Sequence, residues 1–354
     1  MLSKEYLSSS LDYPVYSSDS NNNGIIGYTD NPEFICDCYH PIYITFGDHT
    51  RTFNIAQKSF SVLDNVKVLL PTINNISALM FIISVWHKQI PNLGYSRHWK
   101  VAKKCAIPLP ITNRYEINFK FTEKLMMELE MERIKKLDIY LISNRLNNYV
   151  LTDNERNALK RFDTQHTKWV KHKIGDLFER VSTKKLPYQA KELPVSPNGE
   201  FVLPCLTSSF KNQGLNCYAP KGNATILKNV ISIPSNSDVY RAYFQSNEFT
   251  VLSDAYAIRW KEDSMQISQN QYLFMVMCIN KVTDLPIYSY KNKLGGWNVV
   301  KNKYIQLPMK DNEIDFEFME TFISAIKKLA IKNVVLYTKE KIESYNKNAN
   351  KVDL

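Results

Sequence analysis

SSDSNNNGIIGY (residues 17–28) and TSSFKNQGLNCY (residues 207–218) are two versions of one phrase, and their likeness decides the fold. An offset of 190 places Ser18 on Ser208, Asn22 on Asn212, Gly24 on Gly214 and Tyr28 on Tyr218. SFSVLDN (59–65) matches EFTVLSD (248–254) at an offset of 189. Past an insertion the offset becomes 198, setting Trp99 on Trp297, Val101 on Val299, Lys103 on Lys301 and Leu109-Pro110 on Leu307-Pro308. INFKFTEKLMMELEMERIKKLDIY (117–140) then matches IDFEFMETFISAIKKLAIKNVVLY (314–337) at 197. Blocks recurring in one order at a nearly constant offset mark a tandem duplication.

Each copy divides in two. Its first part holds short β-type runs broken by turn residues, such as YPVYSS, FICDCYHPIYITF and FSVLDNVKVLL, or EFVLPCL, ATILKNVISI and FTVLSDAYAIRW. One apolar helix is expected within each, near 73–88 and 270–282. The second part is a long helix, over 115–147 and 315–347, free of proline and glycine. The fold class is α+β: a tandem pair of β-rich domains, each followed by a long helix. Phe121, Leu125, Met126, Leu129, Ile134, Leu137 and Leu141 make an apolar stripe, with a slip in period between Leu129 and Ile134, so no strict heptad is expected. Phe318, Phe322, Ile323, Ile326, Ile331 and Val334 repeat it. The stripes either pack on their own globular parts or pair with each other, and helices too long for one small domain to cover favour pairing. Thr152 and Glu155 fit a capping box that starts a short helix to about Phe162, followed by the polar boundary DTQHTK (163–168).

The expected layout is a first β-rich domain over 1–113, its helix over 114–148, a connector over 149–168, a second domain over 169–312, its helix over 313–347 and a tail over 348–354. Helices of about 30 residues span roughly 45 Å, somewhat more than the 34–36 Å turn of B-DNA. Two related but unequal modules on such rods suit two unequal, separated half-sites.

Composition narrows the classes. The chain has 354 residues, 44% of them hydrophobic, enough for real cores, and a formal net charge of +10 favours an anionic partner such as nucleic acid. The opening MLSKEYLSSS lacks the apolar run of a signal peptide, and Ile76–Trp86 is too short to span a bilayer. The six cysteines are scattered, which suits a reducing cytoplasm, the expected location. Asn31-Pro32-Glu33-Phe34 partly resembles the Asn-Pro-Pro-aromatic motif of amino-methyltransferases, but no glycine-rich loop opens a helix to hold their cofactor, and a turn is the better reading. Cys36, Cys38 and His40 have no second cluster to complete a zinc site. No GxxxxGK[ST] loop for ATP occurs.

WVKHKIGDLFERV (169–181) resembles the opening of a target-recognition domain in type I restriction specificity subunits. YPVYSSDSNNNGIIGY (13–28), NQGLNCY (212–218), ATILKNVISI (224–233), FQSNEFTVLSDAYAI (244–258), GGWNVVKNKYIQLP (295–308) and IDFEFME (314–320) are similar to such domains too, so the resemblance covers nearly the whole chain. Several blocks look closest to the specificity partners of BcgI-like enzymes. The resemblance implies spacer helices that pair as an antiparallel coiled coil. It also implies a non-catalytic subunit that binds double-stranded DNA and docks methyltransferase or fused restriction-methyltransferase subunits. Those partners would carry S-adenosylmethionine and Mg²⁺, and this chain would hold no cofactor. The pattern departs at the start: a counterpart to Trp169 would fall before residue 1, so the first copy lacks about 21 residues of the opening. Either the reading frame begins late or that module is naturally clipped.

The copies share apolar positions and diverge in polar loops, as two different half-sites require. The DNA-contacting candidates in the first copy are Ser17, Ser18, Asn21, Asn22, Asn23, His49, Arg51, Arg97 and His98. In the second they are Ser208, Ser209, Lys211, Asn212, Gln213, Asn236, Ser237, Tyr240, Arg241, Lys291 and Lys293. Asn and Gln can pair bidentately with adenine and Arg with guanine, whereas Lys neutralises phosphate without reading sequence. The plain alternative is that Ser/Asn/Gly runs are ordinary turns, Asn21–Gly24 above all. Trp99 and Trp297 read as core anchors, because they repeat while the loops beside them vary. Rival functions are a nuclease with its own carboxylate-bound metal, and a repeat-built scaffold for RNA or protein. No acidic constellation stands out in the β-rich parts to favour the former.

Overall fold

A computed structural model gives the chain as two compact units, residues 1–140 with 337–354, and residues 141–336. It describes Leu7 and residues 12–352 other than 238, 263, 286, 288–290, 292 and 293, with side chains through 347.

The first unit runs β1 (Tyr13–Tyr16), β2 (Ile25–Thr29), β3 (Tyr43–Gly47), β4 (Phe53–Ala56), β5 (Ser61–Val62), β6 (Val66–Leu69), α1 (Ile76–Gln89), α2 (Trp99–Ala102) and most of α3 (Phe119–Ser143). Its strands make two small sheets, β2-β1-β5 with β1 and β5 parallel, and an antiparallel β4-β3-β6. Aromatic and branched side chains stand on the inner faces, where a pleated surface packs them best. Phe60 is fully buried, with Phe34 stacked on it at 5.0 Å and Tyr16 edge-on at 5.5 Å. Asn75 starts α1 by accepting from Ala78 N at 2.9 Å, satisfying an otherwise orphaned donor. Trp99 is half-buried among Phe46 and Trp86, the packing role expected of it.

The second unit opens with the last residues of α3 and α4 (Asp153–Asp163). There follow β7 (Lys168–Lys173), the single turn α5 (Ile174–Leu177), β8 (Phe178–Arg180), β9 (Phe201–Leu206), β10 (Leu215–Pro220), β11 (Val230–Pro234), β12 (Tyr243–Gln245), β13 (Thr250–Val251) and β14 (Ala255–Trp260). Then come α6 (Gln269–Thr283), α7 (Trp297–Val300), β15 (Tyr304–Lys310), β16 (Glu313–Ile314) and α8 (Phe316–Val352), whose last sixteen described residues belong to the first unit. The sheet β10-β9-β13, again with a parallel outer pair, repeats β2-β1-β5, and β12-β11-β14 repeats β4-β3-β6. In register, Ile44 faces Ile55 and Leu69 as Ile231 faces Phe244 and Ile258. The second unit adds β8 to the edge of β14 and β7 to β15. The core gathers Ile174, Phe178, Ile231, Ile233, Tyr256, Ile258 and Met275 under α6.

The long helices differ from expectation in length and in which face they bury. They span 119–143 and 316–352. Phe121 and Leu129 are exposed, Ile134 and Leu141 are buried as expected, and Met131 is buried in place of Leu129, with Met127 and Asp138 half-buried between them. That is an alternating four-three spacing with no slip. On α8 Ile326 and Val334 are exposed, while Lys328, Ile331, Val335, Thr338, Ile342 and Tyr345 form the same series. At an offset of 197 the two series coincide. Leu129 and Met131 are both apolar, and the neighbours decide which one is inside. Within the first unit α3 lies beside the end of α8, with Lys341 Nζ 2.7 Å from Glu130 Oε1 and Lys135 Nζ over the Tyr345 ring at 5.9 Å.

Residues 149–168 are not a loose connector. The capping box forms, Thr152 Oγ1 accepting from Glu155 N and Glu155 Oε2 accepting from Thr152 N. Glu155 also accepts from Ser324 and Lys328 of α8, and Arg161 pairs with the buried Asp315 at 3.0 Å while its guanidinium lies over Phe318. Thus α4 is clamped to the start of α8.

A close approach fixes one glycine. A Cβ on Gly295 would lie 1.7 Å from the ring of buried Tyr240, and the Gly295 carbonyl accepts from Tyr256 Oη at 2.9 Å. Gly295→Ala is expected to cost at least about 2 kcal/mol by overpacking, read as a lower urea midpoint with an unchanged slope.

Candidate nucleic-acid interface

Corresponding positions in the two units carry the same unusual backbone. Asn22 and Asn23 have φ of +46° and +52°, and Asn212 and Gln213 have +48° and +55°. Side-chain-bearing residues rarely take this left-handed form, and two in succession store strain of about 1–3 kcal/mol each. The chain is bent there by its neighbours: Ser17 N donates to Gly24 O, and Thr207 N to Gly214 O, closing each loop across its base. Gly24 and Gly214, also at positive φ, are buried beneath the tips while the four side chains stand exposed. The loops are ordinary in position, between two strands, but not in conformation.

Around the first tip the fold collects several candidates. Ser18 Oγ accepts from His49 N at 2.8 Å, joining the tip loop to the β3–β4 turn. The His49 ring stacks on Tyr95 at 4.7 Å, and Tyr95 is 88% exposed. Arg51 is turned back, its guanidinium donating to Ile90 O at 2.9 Å. Asn21 and Arg97 are exposed, and Ser17 is half-buried at the base of the loop.

In the second unit Tyr243 Oη donates to Phe210 O and Gln245 Nε2 to Gln213 O, so β12 supports the tip from below. Lys211 is exposed beside it, and Ser208 and Ser209 are half-buried. Asn236 Oδ1 is buried without a hydrogen-bond partner among the described residues, an acceptor kept out of the backbone network. Arg241 is held by Asp284 at 2.7 Å, which leaves about half of its side chain open to solvent. Lys291 is exposed, and Lys293 lies outside the described residues.

Three candidates are corrected. His98 is 0% exposed, one ring nitrogen 3.0 Å from Leu93 N and the other 2.9 Å from Asp48 O, so it bolts the loop before α2 to the β3–β4 turn. Tyr240 is 0% exposed against Gly295, and Ser237 is buried, with its hydroxyl accepting from Val239 N. Sequence saw polar and aromatic residues next to turns and could not see that the fold closes over them. Tyr95, Phe210, Tyr243 and Gln245 went unnoticed. Of these only Tyr95, an aromatic behind Asn92-Leu93-Gly94 and ahead of Arg97, carried a local signal.

No group of three or more metal-ligating side chains occurs among the described residues, and no described helix is long and apolar enough to cross a membrane. Residues 166–337 match the family described as the Type I restriction modification DNA specificity domain. The chain carries that family's DNA specificity domain. It is a sequence-recognition subunit of a restriction-modification system. The fold agrees: the S subunit of a type I restriction-modification system from M. genitalium aligns over 99% of this chain and 90% of its own, with a TM-score of 0.50 and 13% identity. The HsdS subunit from Thermoanaerobacter tengcongensis aligns over 93% of this chain and 84% of its own, with a TM-score of 0.31 and 11% identity. No curated protein sequence matches. The match at 166–337 spans the second copy, and the first copy of this specificity subunit is tied to it by the repeated sheets and tips.

Proposed function

We propose that each unit reads one half of an asymmetric, bipartite duplex target through its left-handed tip, and that the chain performs recognition without chemistry. The carrying observation is the pair of strained tips at matched positions of a duplicated fold, with Asn22-Asn23 in one and Asn212-Gln213 in the other. Equal backbones with unequal side chains are what two unequal half-sites call for, and Asn or Gln reads adenine edges bidentately. His49 with Tyr95, and Arg97, flank the first tip, and Lys211 and Lys291 supply phosphate-neutralising charge in the second unit.

The long helices serve as spacers that pair as an antiparallel coiled coil. Their matching four-three series supports this, as does α3, which at 25 residues is roughly 37 Å long, about one turn of duplex. Methyltransferase or fused restriction-methyltransferase subunits seated on them would bring S-adenosylmethionine and Mg²⁺ chemistry to the target. The test is methylome sequencing of cells with and without this chain, expressed with its partner subunits. Two-part methylation marks are expected to vanish on deletion, and marks that persist unchanged refute the reading. The purified chain is expected to bind duplex DNA in preference to RNA, with affinity falling linearly in log salt and no cleavage in Mg²⁺ alone.

A further inference from the structure

The first unit repeats the sheets of the second but not their outermost strands. In the second unit β14 is covered by β8, Trp260 facing Phe178 and Ile258 facing Arg180, and β15 is covered along its length by β7. Among the described residues β6, the counterpart of β14, ends its sheet, and residues 106–110, the counterpart of 304–308, form no strand. Apolar side chains record the difference. Ile305 and Leu307 are 1% and 0% exposed, whereas Ile107 and Leu109 are only half-buried. Ala257 and Ile258 are sealed, while Val68 and Leu69 are half-buried and the next residue, Leu70, is 54% exposed. An edge of this kind is a template for strand addition.

We propose that this edge of the first unit docks a strand–turn–strand segment of a separate polypeptide, which completes it as Lys168–Arg180 completes the second unit. The second unit shows the chemistry that such a segment must carry. An isoleucine and a phenylalanine four residues apart plug the core, since Ile174 and Phe178 are both 0% exposed. A glycine follows the isoleucine: Gly175 N donates to Lys301 O at 2.8 Å, and a Cβ there would lie 2.8 Å from that oxygen. Lys103 is the counterpart of Lys301 and offers the same backbone site. One position must differ. Arg259 holds Glu179 at 2.6 Å, but Leu70 stands where Arg259 does, so the segment carries an apolar side chain in place of Glu179.

The test uses the full chain and a fluorescent peptide with the sequence of residues 168–181 carrying Glu179→Leu. A control peptide carries Ile174→Asp and Phe178→Asp in addition. The first peptide is expected to bind at least about thirty-fold tighter than the control, for two apolar side chains buried. Hydrogen exchange should slow about ten-fold at 66–69 and 106–110 and stay unchanged at 255–260 and 304–308. Leu109→Asp in the chain should remove the preference while circular dichroism stays the same. Equal binding of the two peptides, or protection confined to the second unit, overturns the proposal. So does a chain whose residues 66–69 and 106–110 are, without peptide, as protected as 255–260 and 304–308, because its own polypeptide then already covers the edge.

Discussion

Replacing Asn212 and Gln213 together by glycine is expected to stabilise the second unit and, at the same time, to erase sequence preference in one half of the DNA target. The two effects have separate causes. Both residues sit at positive φ, where a Cβ costs energy and glycine costs none. The released strain exceeds the extra freedom that two glycines give the unfolded chain, so a net gain of about 1 kcal/mol is expected in the urea midpoint. Each lost bidentate contact to a base removes about 1–3 kcal/mol of discrimination, roughly five- to 150-fold between right and wrong base. Lys211 is untouched, so sequence-blind affinity and its salt slope should persist. Methylation marks should keep the half read by the first unit and lose definition in the other, and Asn22→Gly with Asn23→Gly should do the converse. A loop that only turned the chain would gain the stability and leave the marks intact. That outcome would sink the assignment of the tips as readers.

How far the sequence revealed these features depended on scale. The duplication, the class of fold and the family were legible, because Tyr28 and Tyr218, Trp99 and Trp297, and the two long helices recur in order whatever the loops do. The helix seam was not. Choosing between Leu129 and Met131 needs the neighbours' positions, and hydropathy alone put the exposed leucine inside. The turn was legible where sequence specifies backbone, as in Asn21-Asn22-Asn23-Gly24, and the exposure of candidate side chains was illegible where long-range packing decides it. His98 shows the second case: its ring is spent on Asp48, fifty residues away, and on Leu93. Arg241 is taken up by Asp284, forty-three residues on, which no local window contains.

The largest effect on stability is expected at the clamp between α4 and α8. Glu155 is 4% exposed. Burial alone pushes its carboxyl up, yet hydrogen bonds from Lys328 Nζ, Ser324 Oγ and Thr152 N, with the Lys328 charge, outweigh burial and bring it down to about 2. Since the folded value lies below the ordinary value of 4.5, the carboxylate's contribution is complete above that pH and disappears as pH falls toward 2. The shift corresponds to about 3 kcal/mol. Glu155→Gln keeps the reach of a capping-box side chain but removes the charge, leaving Lys328, 16% exposed, facing a neutral amide. It should therefore lose about 2–4 kcal/mol at neutral pH and show a flatter fall in stability between pH 5 and about 2, by urea denaturation at each pH. Lys328→Met should cost a similar amount. Glu155→Leu with Lys328→Met should recover much of it, because an apolar pair needs no desolvation of charge. A cycle in which the two losses simply add would mean that Glu155 and Lys328 act separately, and that the capping box holds α4 on its own.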